Sequence, residues 1–211
     1  MKPASRSAFV AAIALLGHAC ASVPAEKLYT LDAGLRGKID RAPARAEAAS
    51  DGARVPAAQG DVVVAPPALP ELIDRPQLML RIGPHQVEML EQTRWAEPLR
   101  AQIARVVAED LEALLGGWRI ATSEDVLVAP ACRVSLDVRR FEASRAGPAV
   151  SDVLWRVACA GGSVRTGRAA AAEPVVGAGL TDGLAPVVAA HGRALDRLSR
   201  DLAAALRDAA P

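Results

Sequence analysis

Three cysteines, three histidines and 24 carboxylates are the side chains through which this chain could do chemistry, and their spacing decides how much is available. Cys132 and Cys159 have no close Cys or His companion, so the clustered donors of a zinc site are missing. His18 falls in the leader, His85 in a turn, and His191 on the apolar stripe of a helix, where a packed, hydrogen-bonded ring is expected rather than a ligand or base. Glu109, Asp110 and Glu112 share one helix, and a solvated face is their expected place. Gly161-Gly162-Ser163-Val164-Arg165 lacks the closing glycine of a nucleophile elbow. Gly177-Ala178-Gly179 is followed by Asp182 where the dinucleotide fingerprint needs its third glycine, and no phosphate loop exists. Catalytic residues, a bound metal and a cofactor are therefore not expected.

The remaining cysteine, Cys20, has a different chemistry in prospect. Lys2 and Arg6 precede an unbroken apolar run of nine residues from Ala8 to Leu16, the layout of an export signal, and far short of the ~20 apolar residues a membrane-spanning helix needs. Leu15-Leu16-Gly17-His18-Ala19-Cys20 resembles a bacterial lipobox, with Gly17 where a leucine is usual. Cleavage before Cys20 would leave residues 1–19 as signal peptide and free Cys20 for a diacylglycerol thioether and an amide-linked acyl chain, the covalent lipid expected here. Several acyl chains, at ~0.8 kcal/mol per methylene, hold a protein on a membrane more firmly than one. Ala21 in place of Asp favours the outer membrane in the enterobacterial sorting rule.

Cys132 and Cys159 bracket the most regular patterning in the chain. Val134, Leu136 and Val138 alternate with polar residues, as do Val153, Trp155 and Val157, and Ser144 to Pro148 supplies turn chemistry. Placing Glu142 opposite Ala149 sets Val138 by Val153, Leu136 by Trp155 and Val134 by Val157 on one face, with Arg139 beside Asp152 on the other. The same register sets Cys132 opposite Cys159. A disulfide there would contribute roughly 3 kcal/mol by loop closure; two buried free thiols are the alternative, and a one-residue slip would put the cysteines on opposite faces.

The other elements follow from periodicity. Residues 28–32 form an early extended stretch, which should join the main domain at 61–211. Between them the lipidated N-terminal region, 20–60, holds an Ala-, Pro- and Gly-rich flexible segment from Ala33 to Gly60 that is either a linker or an insertion. Val62-Val63-Val64 reads as a strand. Leu78–Ile82 and Val87–Leu90 read as a hairpin pairing Ile82 with Val87 and Leu80 with Met89. Pro98 opens an amphipathic helix whose stripe runs through Leu99, Ile103, Val106, Val107, Leu111 and Leu115 to Gly116-Gly117, and Trp118 to Thr122 gives a short strand. Ser163 to Glu173 is a last strand, and Val188, His191, Leu195, Leu198, Leu202 and Leu206 mark a second helix with Pro186 in its first turn. The expected fold is a three-layer α/β domain: a mixed β-sheet flanked by two long amphipathic helices.

Composition narrows the partners. The 25 basic and 24 acidic residues nearly cancel, so neither a nucleic acid nor a bare anionic lipid surface is an expected partner. Aromatics make up only 3%, which leaves few stacking platforms.

Two motifs carry a resemblance. Leu69-Pro70-Glu71-Leu72-Ile73-Asp74-Arg75-Pro76-Gln77-Leu78 lies just before the hairpin, and Arg94-Trp95-Ala96-Glu97-Pro98-Leu99 opens the first helix. With Cys20 and Tyr29-Thr30-Leu31 upstream, the order resembles the PqiC-type auxiliary lipoproteins of Mce-type ABC transport systems, over nearly the whole chain. The Ala33 to Gly60 segment departs from that pattern. The resemblance implies a non-catalytic lipoprotein of the outer membrane, facing the periplasm and docking a periplasm-spanning Mce-domain protein that carries lipids between the membranes. It leaves a homo-oligomer open. For Asp74, Arg75, Pro76 and Gln77, two roles are weighed: an exposed edge that contacts the partner, or side chains that bind turn amides and fix the chain before the strand. Arg94, Trp95, Glu97 and Pro98 are expected to anchor the helix start, with the indole packed and the charges paired, rather than to form a binding hot spot. A stand-alone carrier of lipid or another small ligand, with an apolar pocket between sheet and helix, is the competing function; a purely structural envelope lipoprotein is a third.

Overall fold

The long strand Cys132–Ser144 organises the molecule, because all of its neighbours in the sheet are held on its two edges. The computed structural model describes residues 25–32, 60–123, 130–144, 147–176 and 183–209. In chain order the described elements are β1 (Lys27–Tyr29), β2 (Asp61–Val64), β3 (Gln77–Gly83), β4 (Gln86–Trp95), α1 (Leu99–Leu114), β5 (Arg119–Ala121), β6 (Cys132–Ser144), β7 (Ala149–Cys159), β8 (Val164–Glu173) and α2 (Ala185–Ala209). One edge of β6 takes β2 in parallel at Val62↔Cys132 to Val64↔Val134, then a bridge at Ala68↔Asp137, then β3 in parallel at Leu80↔Ala143. Its other edge takes β7, which carries β8. Outside β2 lies β5, and outside β3 lie β4 and then β1, the last in parallel. The class is α/β with a mixed sheet and two long helices, as the patterning implied.

Alternation along β6 decides which face is core. Val134, Leu136, Val138, Phe141 and Ala143 are buried, while Arg133, Arg139 and Arg140 are exposed. The step from 138 to 141 breaks the period of two, and the ladder breaks there as well. Up to Val138↔Val153 the pairs are those expected, including Leu136↔Trp155, Val134↔Val157 and Cys132↔Cys159; beyond it come Arg140↔Asp152, Glu142↔Val150 and Ala143↔Ala149. Arg139, expected beside Asp152, is the extra residue, and Glu142 does not face Ala149. The cause is Phe141: an uninterrupted ladder would bury Arg140 and turn the phenyl ring outward, whereas one bulged residue returns the aromatic to the core.

The β3–β4 hairpin shows the same competition. Its pairs are Arg81↔Val87, Leu80↔Glu88, Met79↔Met89 and Leu78↔Leu90, one residue away from the expected pairing of Ile82 with Val87 and Leu80 with Met89. Gly83↔Gln86 closes the turn around Pro84-His85, which leaves Ile82 as the irregular residue, exposed at the tip. Leu78 and Leu80 are buried, so the core side chains are kept and the turn absorbs the mismatch.

Both helices lie against the same face of the sheet and against each other. α1 follows Pro98 and covers β2 and β5; α2 covers β7 and β8. Between them Ser199 Oγ donates to the buried Asp110 carboxylate at 3.1 Å, and the Arg207 guanidinium donates to the Leu114 carbonyl at 2.7 Å. Asp110, expected on a solvated face, is fully buried. It sits seven residues after Ile103, on the apolar stripe itself. The predicted stripe of α2 is buried throughout, with Leu202 and Leu206 fully enclosed. His191 is buried and stacked on Phe141, ring centroids 3.9 Å apart, and among the described residues its Nδ1 has no hydrogen-bond partner. Desolvation holds its pKa far below the usual value, down to about 3, so the ring is neutral.

Candidate functional site

The segment just downstream of the expected lipid attachment is bound into the fold at the place where the two sequence motifs meet. β1 lies along the end of β4, with Leu28↔Arg94 and Tyr29↔Trp95, and Glu26 pairs with Arg94 at 2.5 Å. The Ala96 N–H donates to the Tyr29 carbonyl at 2.8 Å. Leu31 then turns into the core, fully buried, and its backbone is claimed by α1: its N–H donates to Gln102 Oε1 at 2.7 Å and its carbonyl accepts from Arg105 at 3.0 Å. Gln102 is itself fully buried, and its Nε2 donates to the Glu97 carbonyl at 2.8 Å. One amide thus ties the N-terminal segment to the helix start, satisfying groups whose burial would otherwise cost about 1–3 kcal/mol each.

α2 contributes from the other side. The Leu184 N–H donates to the Tyr29 hydroxyl at 2.9 Å. Gly183 has φ +90°, and a Cβ there would stand 2.7 Å from the Tyr29 hydroxyl oxygen. Glycine is needed for both the conformation and the space.

The Asp74 motif forms the outer wall of this clamp. Its turn amides, Ile73 and Asp74 N–H, both donate to the Pro70 carbonyl at 3.0 Å, so the Asp74 side chain is free for another task. Its carboxylate takes the Arg100 guanidinium in a two-toothed pair, which ties the turn to the first turn of α1. That charge-assisted bond raises the Arg100 pKa. Arg75 folds back on the Glu71 carbonyl at 3.2 Å and reaches Met89 Sδ at 3.8 Å. The Pro76 carbonyl accepts the Trp95 N–H at 2.8 Å, and Gln77 pairs with Arg94 across the strands. Trp95 is buried beneath them, Glu97 lies exposed one position before the helix cap Pro98, and it contributes its carbonyl rather than its carboxylate.

The structure therefore brings together Asp74, Arg75, Pro76, Gln77, Arg94, Trp95, Glu97 and Pro98. Tyr29 and Leu31, noted in the sequence only as part of the motif order, complete the site together with Gln102 and Arg105, which sequence reasoning did not single out. Gln102 lies three residues after Leu99 on the apolar stripe, the one signal that could have marked it. Cys20 lies outside the described residues, as does the span 33–59. β1 precedes that span and pairs with β4, so the Ala- and Pro-rich stretch falls in the chain between two strands of the same sheet.

Cys132 and Cys159 sit at the opposite end of β6 from its contact with β3, joined by a disulfide. The Ala160 N–H donates to the Ala131 carbonyl, and the Cys159 N–H turns to Ser163 on the other side, so the cysteines occupy a pair that exchanges no ladder bonds. Side chains approach closest at such pairs. Among the described residues no cluster of His, Cys, Asp or Glu could hold a metal ion, and no helix is long and apolar enough to cross a membrane.

Two solved structures share the fold. An uncharacterized protein matches with a TM-score of 0.62 at 16% identity, over 86% of this chain and 99% of its own. A DUF330 protein from Xanthomonas campestris matches with a TM-score of 0.52 at 23% identity, over 68% of this chain and 81% of its own. No curated protein matches the chain. The family model for the ABC-type transport auxiliary lipoprotein component matches residues 42–203, from within the Ala-rich span to the last turns of α2. With most of its length matched and the fold shared, the chain belongs to the family of ABC-type transport auxiliary lipoprotein components.

Proposed function

We propose that the protein is the non-catalytic, outer-membrane subunit of an Mce-type ABC system, anchored through acyl chains on Cys20, facing the periplasm and docking a periplasm-spanning Mce-domain partner that moves lipid between the membranes. Family membership supports the transport auxiliary role. The observation that carries the rest is the clamp on residues 26–31. Seven residue steps separate Cys20 from Lys27 and span at most about 25 Å when fully extended. A domain gripped that soon after its lipid is held close to the bilayer in a limited set of orientations, which suits a subunit that positions a partner. The ATPase would reside in another subunit, consistent with the missing phosphate loop. The carrier reading needs an enclosed apolar chamber; the cavity beside His191 has a volume of only about 20 Å3, and the larger clefts, about 340 Å3 beside α2 and about 580 Å3 around Trp155, are open to solvent.

The test is residue-specific photo-crosslinking in the native envelope, with probes at Leu72 and Arg75 and a Cys20→Ala control. Crosslinks to an Mce-domain protein that weaken in the control support an anchored docking subunit. Correct outer-membrane placement with no such crosslink overturns it, and stoichiometric lipid on the purified protein in native mass spectrometry would then favour a carrier.

A further inference from the structure

β8 is a ten-residue strand hydrogen-bonded to β7 in unbroken register, from Ala158↔Val164 to Ala149↔Glu173, and among the described residues no strand pairs with its other edge. At the other ends of the sheet β1 and β5 have three residues each, and β4 extends beyond β1 with residues 86–92 unpaired on that side among the described residues. β8 has no proline, no bulge and no shortness, and of the usual protections it keeps only charge, at Arg165 and Arg168. The Cys159 N–H donates to the Ser163 carbonyl, which places residue 163 in a bonded pair. Regular alternation from there turns the backbone N–H and C=O of Val164, Thr166, Arg168, Ala170 and Ala172 toward the open edge.

A groove runs beside this edge. Between β8 and α2 lies a cleft of about 340 Å3, floored by Val153, Ala169, Ala171, Ala194, Leu195 and Leu198. The small residues of β8 leave that room. Its rim is arginine. Arg168, Arg197 and Arg200, which line it, are 63%, 64% and 48% exposed, while the acids they pair with, Asp152, Glu173 and Asp196, are 14%, 4% and 6% exposed. The paired carboxylates are tucked in and the guanidiniums reach out, so the groups outermost on the rim are guanidiniums, with Asp201 the exposed acid that shares the cleft wall.

We infer that the free edge of β8 receives an extended, carboxylate-bearing segment of another protein, which adds as a further strand, seats alternate small or apolar side chains in the groove under α2, and sets its acids against the arginine rim. A second copy of this chain fits worse, because its own arginines would meet this rim. The inference does not depend on which transporter the protein serves.

The experiment places photo-crosslinking residues at Thr166 and Ala172 of the full chain in cells and maps the crosslinked segment by mass spectrometry. That segment, made as a peptide, is then added to the purified protein for hydrogen exchange. The expected result is one carboxylate-bearing segment whose peptide protects the amides of Val164, Thr166, Arg168, Ala170 and Ala172. Ala170→Pro removes an outward N–H at an edge position that tolerates proline, and should leave the Tm within about 2 °C while weakening the peptide at least about 10-fold. Absence of crosslinks, crosslinks only to a second copy, a segment without carboxylates, or protection elsewhere in the protein would each overturn the proposal. The wild-type exchange pattern decides the question even if the proline variant fails to fold.

Discussion

His191 is the side chain whose protonation matters most to the fold. It is buried, stacked on Phe141, and desolvation takes its pKa down to about 3 against 6.5 for the free ring. Between those values the unfolded chain binds a proton that the folded chain refuses, so this group lowers stability as pH falls below 6.5, by up to about 1.4 kcal/mol per pH unit. Glu142 and Asp152, whose carboxyl groups are held below their usual range by hydrogen bonds from Arg81 and Arg168, act in a lower window, where stability is lost as these acids take up protons. Urea denaturation at pH 7.5 and pH 5 therefore isolates the histidine. His191→Leu, close in volume and without the unpartnered Nδ1, should change stability at pH 7.5 by less than about 1 kcal/mol and flatten the dependence between pH 6.5 and 5. An unchanged slope would place the titrating group elsewhere.

At the scale of elements, two ties hold parts of the sheet that pairing alone secures weakly. The disulfide joins the start of β6 to the end of β7 across a sequence separation of 27. Cys132→Ser with Cys159→Ser should lower unfolding free energy by roughly 3 kcal/mol without moving the β6–β7 register, which Val134, Leu136 and Val138 maintain by burial; denaturation with and without reductant checks it. The three-residue β1 depends more on the side chain that follows it. Leu31 is fully buried, and Leu31→Ala should cost about 2–5 kcal/mol, with faster amide exchange at Tyr29 as the sign that the strand has loosened.

For the whole molecule the arrangement of anchor and domain is the functional question. If the clamp on residues 26–31 transmits the position of the lipid to the domain, a flexible Gly/Ser spacer of about 10 residues between Cys20 and Glu26 should leave the Tm unchanged and the protein on the membrane, yet weaken crosslinks from Leu72 and Arg75 to the docked partner. Full crosslinking with the spacer would mean that anchoring supplies only local concentration. The fold suits a fixed presentation: both helices cover one face of the sheet, and among the described residues no helix covers the other face and no strand pairs with the outer edge of β8.

Local periodicity was enough to establish the strands at 62–64 and 132–159, both helices with their stripes, and the facing of Cys132 and Cys159, because each depends on side chains within one element or one hairpin. The Cys20 motif and the two motifs around Asp74 and Trp95 likewise pointed to an auxiliary lipoprotein before any contact was known. Tertiary structure decided what local pattern underdetermines. Arg139 bulges because Phe141 must reach a core built by α2, and Ile82 is displaced at a hairpin tip because Leu78 and Leu80 must. Asp110 and Gln102 are buried because partners distant in sequence, Ser199 and Leu31, satisfy them. The parallel pairing of β1 with β4, which sets how the N-terminal segment meets the domain, joins residues more than sixty positions apart, and no spacing within either strand encodes it. Periodicity records which side of an element is apolar; which elements share that apolar space, and which polar groups find partners inside it, is settled only when the chain closes on itself.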